Sequence, residues 1–123
     1  MTRGYKPVVA ITEAQRHAIG WGLIMIGLIT DAKLAFDFII HDRGCTSLVR
    51  VRRLKYAGFR LETIGRSCAQ EIRELRELKV PEGIYRELWV RGPERTWHRY
   101  RILPETIDPL LIRRSFEVIT INQ

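Results

Sequence analysis

The chemistry readable in this sequence of 123 residues lies in two groups of side chains. Arg50, Arg52, Arg53, Lys55 and Tyr56 form one; Arg91, Arg95, Trp97, Arg99 and Arg101 form the other. Guanidinium and ammonium groups beside aromatic rings suit phosphate contact combined with stacking on a base or sugar. Residues 43–60 hold six basic side chains and no acid, and residues 85–102 hold five arginines against Glu87 and Glu94. The whole chain carries 21 Lys and Arg against 14 Asp and Glu, a net charge of +7. Nearly all the excess therefore falls in two short segments, the pattern of a localised anion-binding face. Nucleic acid, DNA first, is the expected partner. Contact through its backbone is expected, because no helix-turn-helix, zinc-finger or RNA-recognition signature is present. The competing roles are a solvated surface for the arginines and core packing for Trp89 and Trp97.

The rest of the composition excludes several classes. Hydrophobic residues at 46% and charged residues at 28% are the balance of a folded soluble chain, and the length suits one domain over residues 1–123. Cys45 and Cys68 are the only cysteines, which removes a disulfide scaffold and a Cys-rich zinc site. His17, His41 and His98 have no metal-ligand spacing. Residues 1–10 contain no signal-peptide apolar core. The longest apolar run, residues 19–29, is about half of the roughly 20 residues a spanning helix needs. No membrane partner is expected, and a cytoplasmic location is.

These side chains need elements to position them. Thr12-Glu13-Ala14-Gln15 fits a capping box and predicts a helix over 12–26, with Glu13 complementing its dipole. Gly20 and Gly22 within it suggest close approach of another backbone, and Gly27 a left-handed end. A short strand over 28–30 is followed by one over 35–41, with Phe36, Phe38 and Ile40 on one face and Asp37, Ile39 and His41 on the other. Asp42-Arg43-Gly44 makes the turn into a strand over 47–55, where Leu48, Arg50, Arg52 and Leu54 share a face. Leu61, Ile64, Cys68, Ile72, Leu75 and Leu78 form the apolar stripe of a second helix, stopped by Pro81 and Gly83. A hairpin over 85–103 puts Trp97, Arg99 and Arg101 on one face. Pro104 and Pro109 frame a turn or short helix, and residues 116–121 a last strand. The fold class is α/β: a small mixed sheet flanked by helices, in the order α-β-β-β-α-β-β.

From about Glu13 to Arg60 this order resembles the core of the PD-(D/E)XK nuclease superfamily, nearest the archaeal Holliday junction resolvases. The resemblance implies a restriction-endonuclease-like fold. Phe36-Asp37-Phe38-Ile39-Ile40 occupies the place of the family's strand with a metal-binding Asp, and Leu48 to Arg53 that of its acid-x-Lys strand. The acid position here reads Arg50 and the Lys position Arg52. Mg²⁺ prefers carboxylate oxygens and waters, and a guanidinium repels it. Arg52 retains the ability to hold a phosphate. If catalysis persists, the resemblance assigns Asp37 as metal ligand, Arg52 as phosphate clamp, and Glu13 or Glu71 as relocated acid.

Three functions follow. A nucleic-acid-binding module that has lost metal-dependent hydrolysis, and so needs no cofactor, is the first. A divergent Mg²⁺-dependent endonuclease or junction resolvase built on Asp37 is the second. The third is a homodimeric interaction protein whose arginine strand meets acids of a second copy.

Overall fold

A computed structural model describes residues 8–20, 24–28, 34–42, 44–55, 59–93 and 96–110. The protein is α/β, with a mixed sheet of six strands in the order β1-β2-β3-β4-β5-β6. The elements run α1 (Val8–Gly20), β1 (Ile24–Leu28), β2 (Phe38–Asp42), β3 (Cys45–Arg53), α2 (Leu61–Ser67), α3 (Ala69–Glu77), β4 (Ile84–Arg91), β5 (Trp97–Ile102) and β6 (Ile107–Leu110). β3 and β4 are parallel, and the other neighbours are antiparallel. A parallel pair needs a crossover connection, and α2 and α3 supply it.

Helices cover both faces. Ala10, Ile11, Ala14 and Ala18 of α1 pack on Phe38, Ile40, Val49, Val51, Trp89 and Trp97. Three alanines in this stripe let the helix lie close to the sheet. Ile64, Cys68, Ile72 and Leu75 of α2 and α3 pack on Leu88, Val90, Tyr100 and Ile102. Both faces of β3 are therefore buried over Ser47–Val51, which is why its apolar and polar residues do not sort into core and solvent sides.

Several expectations change. The first helix is described from Val8, so Thr12 is internal and its Oγ1 donates to Val8 O at 3.0 Å. Burial of Ala10 and Ile11 outweighs the local capping signal. Ile24–Leu28 is strand and not helix, and Gly27 sits at a register shift in β1. A short apolar run has no periodicity to separate the two states. Open space surrounds the position of a Cβ at Gly20. Phe36 precedes β2 and packs with the second core, opposite Phe38 and Ile40. The stripe from Leu61 is two helices hinged at Cys68 (φ −112°, ψ 24°), although amide bonds Cys68→Ile64 and Ile72→Cys68 continue through it. Residues 107–110 form an edge strand in place of a turn or helix, and an edge tolerates Pro109. The order is thus longer by one helix and one strand than expected. Residues 29–30 and the strand expected over 116–121 lie outside the described residues, as do Arg43, Tyr56 and Arg95.

Gly44 matches its turn signal. Asp42 pairs with Cys45 across a two-residue turn in which Gly44 has φ 83°, a left-handed conformation glycine adopts freely. At the end of β4 a Cβ on Gly92 would collide with Cζ of Phe59 and lie 2.8 Å from Thr96 Oγ1.

Candidate nucleic-acid interface

The register of β2 on β3 organises the site. Phe38 pairs with Val49, so Asp37, one residue before β2, faces Arg50. β3 runs on past the start of β2, and its Val51 N–H would lack a strand partner. The Asp37 carboxylate supplies one: Oδ2 accepts from Val51 N at 2.7 Å. Arg50 Nε lies 3.9 Å from the same oxygen, its Nη1 4.0 Å from Glu74 Oε1 and 3.5 Å from Ala35 O. Asp37 is fully buried and Arg50 is 5% exposed. Removal of such charges from water is costly unless they are paired.

Arg52, two residues along the same face, donates from Nη1 to Glu71 Oε2 at 2.6 Å. Glu71 and Glu74 lie three apart on α3, hence on one side of it. They meet two arginines spaced two apart on a strand, hence also on one side. The cluster is a charge lattice of Asp37, Arg50, Glu74, Arg52 and Glu71. Glu74 was missed in the sequence. Its signal was the acidic pair 71/74 beside the apolar stripe, matching the spacing of the strand arginines.

This lattice does not fit Mg²⁺. A guanidinium stands 3.9 Å from Asp37 Oδ2, and that oxygen also accepts a backbone hydrogen bond. Among the described residues no group of three or more His, Cys, Asp or Glu is arranged to hold a metal ion. Glu13 belongs to the α1 layer, where it pairs with Arg91 at 3.1 Å. It is not brought together with Asp37.

The arginines of the second segment turn mostly inward. Arg99 is 6% exposed, donates from Nε and Nη2 to Glu87 Oε1 at 3.0 and 2.8 Å, and lies over the Trp89 ring. Trp89 Nε1 donates to the same oxygen at 2.9 Å. Arg101 covers the Tyr85 ring with its Cζ 4.0 Å from the centroid. Arg86 donates to Leu78 O at the end of α3. Trp97 is buried in the α1 core. These side chains hold layers together, as core and framework residues.

What reaches solvent is narrower. Arg53, Lys55 and Arg60 are exposed and Arg52 half-exposed. Arg53 pairs in register with Arg91, and Leu54 N donates to Arg91 O. The exposed cations of these two segments thus gather at the carboxyl ends of the parallel strands and at the start of α2, while Arg16, Arg66, Arg73, Arg76 and Lys79 are exposed on or just after the helices. Carboxyl ends of parallel strands are the usual ligand side of an open α/β sheet.

A cleft of about 450 Å³ opens beside them, lined by Phe59, Arg60, Trp97, His98, Tyr100 and Leu110 among others. His98 stacks on Phe59 at 3.6 Å between centroids, and Tyr100 Oη donates to Phe59 O at 3.2 Å. Burial lowers the His98 pKa below its ordinary 6.5, which keeps the ring neutral at neutral pH. Burial, helped by the Glu71 charge, pushes the Cys68 thiol up to about 12.

The chain matches no family model, no curated protein and no solved structure. No helix of the described residues is long and apolar enough to cross a membrane.

Proposed function

We propose that the protein binds nucleic acid, DNA first, through phosphate contacts, on a restriction-endonuclease-like fold in which an internal ion lattice has replaced the metal centre. The observation that carries this reading is the pairing of Asp37 with Arg50 at the positions where the PD-(D/E)XK resemblance puts two metal-binding acids. Two further features support it. The element order α1-β1-β2-β3-α2 follows the resembling core. The exposed cations Arg53, Lys55 and Arg60 lie at the same end of the sheet, since β2 begins where antiparallel β3 ends. Arg50 and Arg52 meet their charge inside the protein, whereas the exposed group has no internal acid among the described residues and is available to phosphate oxygens.

Hydrolysis through Mg²⁺ is not part of this function. A phosphodiester cut needs a clamp for the developing charge and an activated water, and Arg50 occupies the position of the ligand that would hold the ion. The test is fluorescence polarisation with duplex, branched and single-stranded DNA at low salt, with and without Mg²⁺ or Mn²⁺. Binding without strand cleavage is expected, and Lys55→Glu weakens it at least tenfold. Absence of binding at about 50 mM salt sinks the reading. Metal-dependent cleavage abolished in Asp37→Asn replaces it with the endonuclease.

A further inference from the structure

We infer that Phe59 is the positioning residue of the phosphate face and His98 its latch: the neutral His98 ring holds Phe59 in place, and protonation loosens that hold, so acid weakens phosphate binding. The inference rests on the proposed function and adds the regulation of that same site.

Three observations carry it. The first is where Phe59 stands. Arg53 and Lys55 flank Leu54, whose N–H is fixed to Arg91 O at the end of the parallel strands. Arg60 has no such tie to the sheet; it takes its place from Phe59 before it and from α2 after it. Three contacts fix Phe59. Its ring packs so closely on Gly92 that no Cβ fits there. Its carbonyl accepts from Tyr100 Oη at 3.2 Å. Its ring lies on the His98 ring, with centroids 3.6 Å apart and planes inclined by 18°. All three partners belong to the β4–β5 hairpin, so one residue ties the start of α2, and Arg60 with it, to the sheet.

The second is that one of these three contacts changes charge near neutral pH. The Tyr100 phenol, pushed up to about 12 by burial, stays a donor. His98 is half-buried under Phe59 and pairs with no carboxylate of the described residues. Arg52 of β3 lies in its row, through Val90, and Arg60 lines the same cleft. Of the acids nearby, Glu71 of α3 is held by Arg52 at 2.6 Å, and Glu62 in the first turn of α2 is exposed. Asp108 of β6 is in register with Arg101, on the opposite sheet face from His98. Glu94 and Arg95, in the hairpin turn, lie outside the described residues. An imidazolium under Phe59 therefore meets burial and two cations.

The third is the sign of the effect. Burial sets the docked ring below its ordinary 6.5. A ring freed from Phe59 takes up a proton more readily, so acid favours the freed form. The contribution of docking is full above 6.5 and is lost as pH falls through the lower, docked value. An Arg60 no longer held in place must be ordered when phosphate binds, and that ordering costs affinity. Net charge acts the other way, since every histidine that gains a proton attracts DNA more strongly. The direction of the pH effect therefore separates a latch from plain electrostatics.

The experiment measures polarisation with one DNA duplex at constant salt, from about pH 7.5 to about pH 5.5, for wild type, His98→Phe and His98→Ala. Wild-type affinity is expected to fall at least about threefold over that range. His98→Phe keeps an aromatic ring on Phe59 and carries no proton, so its affinity is expected to hold or rise. His98→Ala lacks the stack and is expected to bind weakly at both ends of the range; His98→Phe decides the matter should that variant fold poorly. A second readout needs no DNA. The Gly92 α-protons lie against the Phe59 ring and carry its ring-current shift in ¹H–¹³C NMR. That shift is expected to shrink in acid in the wild type and to persist in His98→Phe. Tighter wild-type binding in acid, with a steady Gly92 shift, overturns the latch. Parallel pH responses in wild type and His98→Phe overturn it too, by assigning the effect to another group. Should no DNA bind at any pH, the proposed function falls, and the Gly92 shift then decides the latch alone: shrinking in acid upholds it, and constancy overturns it.

Discussion

At the scale of single residues, arginines of the same kind do opposite things. Arg99 is walled in by Glu87 and Trp89, whereas Lys55 and Arg53 stand in solvent. Arg99→Ala leaves Glu87 buried, with only the Trp89 N–H bond described here to hold it, and is expected to cost about 3 kcal/mol in a urea titration. Lys55→Ala is expected to leave that midpoint within about 0.5 kcal/mol and to weaken DNA binding. Asp37 gives a sharper contrast. Asp37→Ala deprives Val51 N–H of its acceptor and Arg50 of its nearest negative charge, and about 3 kcal/mol or more is lost. Asp37→Asn keeps an oxygen for the amide and is expected to lose less, about 1–2 kcal/mol. Equal losses in the two variants would show that the Val51 bond contributes little. None of these pairings could be read from residue type alone. Asp37 with Arg50 needed the β2–β3 register to choose Arg50 over Arg52, Glu87 with Arg99 needed the β4–β5 register, and Glu74 needed the helix to be laid across β3.

At the scale of elements, the sequence was most legible where local chemistry and burial agree. The stripe from Ile64 to Leu75, the Gly44 turn and the alternation of Trp97, Arg99 and Arg101 all appear as expected. It was least legible over 12–28, where a capping-box match and a glycine-interrupted apolar run pointed to one helix. A run of five apolar or glycine residues, Ile24–Leu28, is too short for periodicity to separate strand from helix. Cys68 marks another such place, a hinge inside a continuous stripe. Its thiol titrates at about 12 in the fold against 9.0 in an open chain, and the Tyr100 phenol at about 12 against 10.0. A group whose folded pKa is raised stabilises the fold fully below its open-chain value and loses that contribution as pH rises toward the folded value. Stability is therefore expected to fall between about pH 9 and 12, the thiol acting first. Urea midpoints from pH 8 to 10 should decline in the wild type and decline less in Cys68→Ala, whatever that variant's lower starting value. Gly92→Ala, forced against Phe59, is expected to cost about 1–3 kcal/mol and to disturb the cleft wall.

At the scale of the whole molecule, the net charge of +7 divides into an internal and an external part. Arg50, Arg52, Arg86, Arg91, Arg99 and Arg101 bind acids, carbonyls or a ring of their own chain. Arg53, Lys55 and Arg60 stay exposed at one end of the sheet. The charge count in the sequence could not make this division, because it depends on which strand face each arginine takes and on which acid the opposite layer brings to it. The resemblance to a nuclease core and the charge pattern then converge on one account, phosphate binding without metal. Counterion release makes it quantitative. The slope of log K against log salt is about −0.9 per phosphate neutralised on duplex DNA. With Arg53, Lys55 and Arg60 as the contacts, the wild type should give a slope of about −3. The Arg53→Ala, Lys55→Ala, Arg60→Ala triple variant should lose nearly all of that slope with an unchanged unfolding midpoint. A triple variant that keeps the wild-type slope would contradict the account, since the phosphates would then be held somewhere other than the carboxyl ends of β3 and β4.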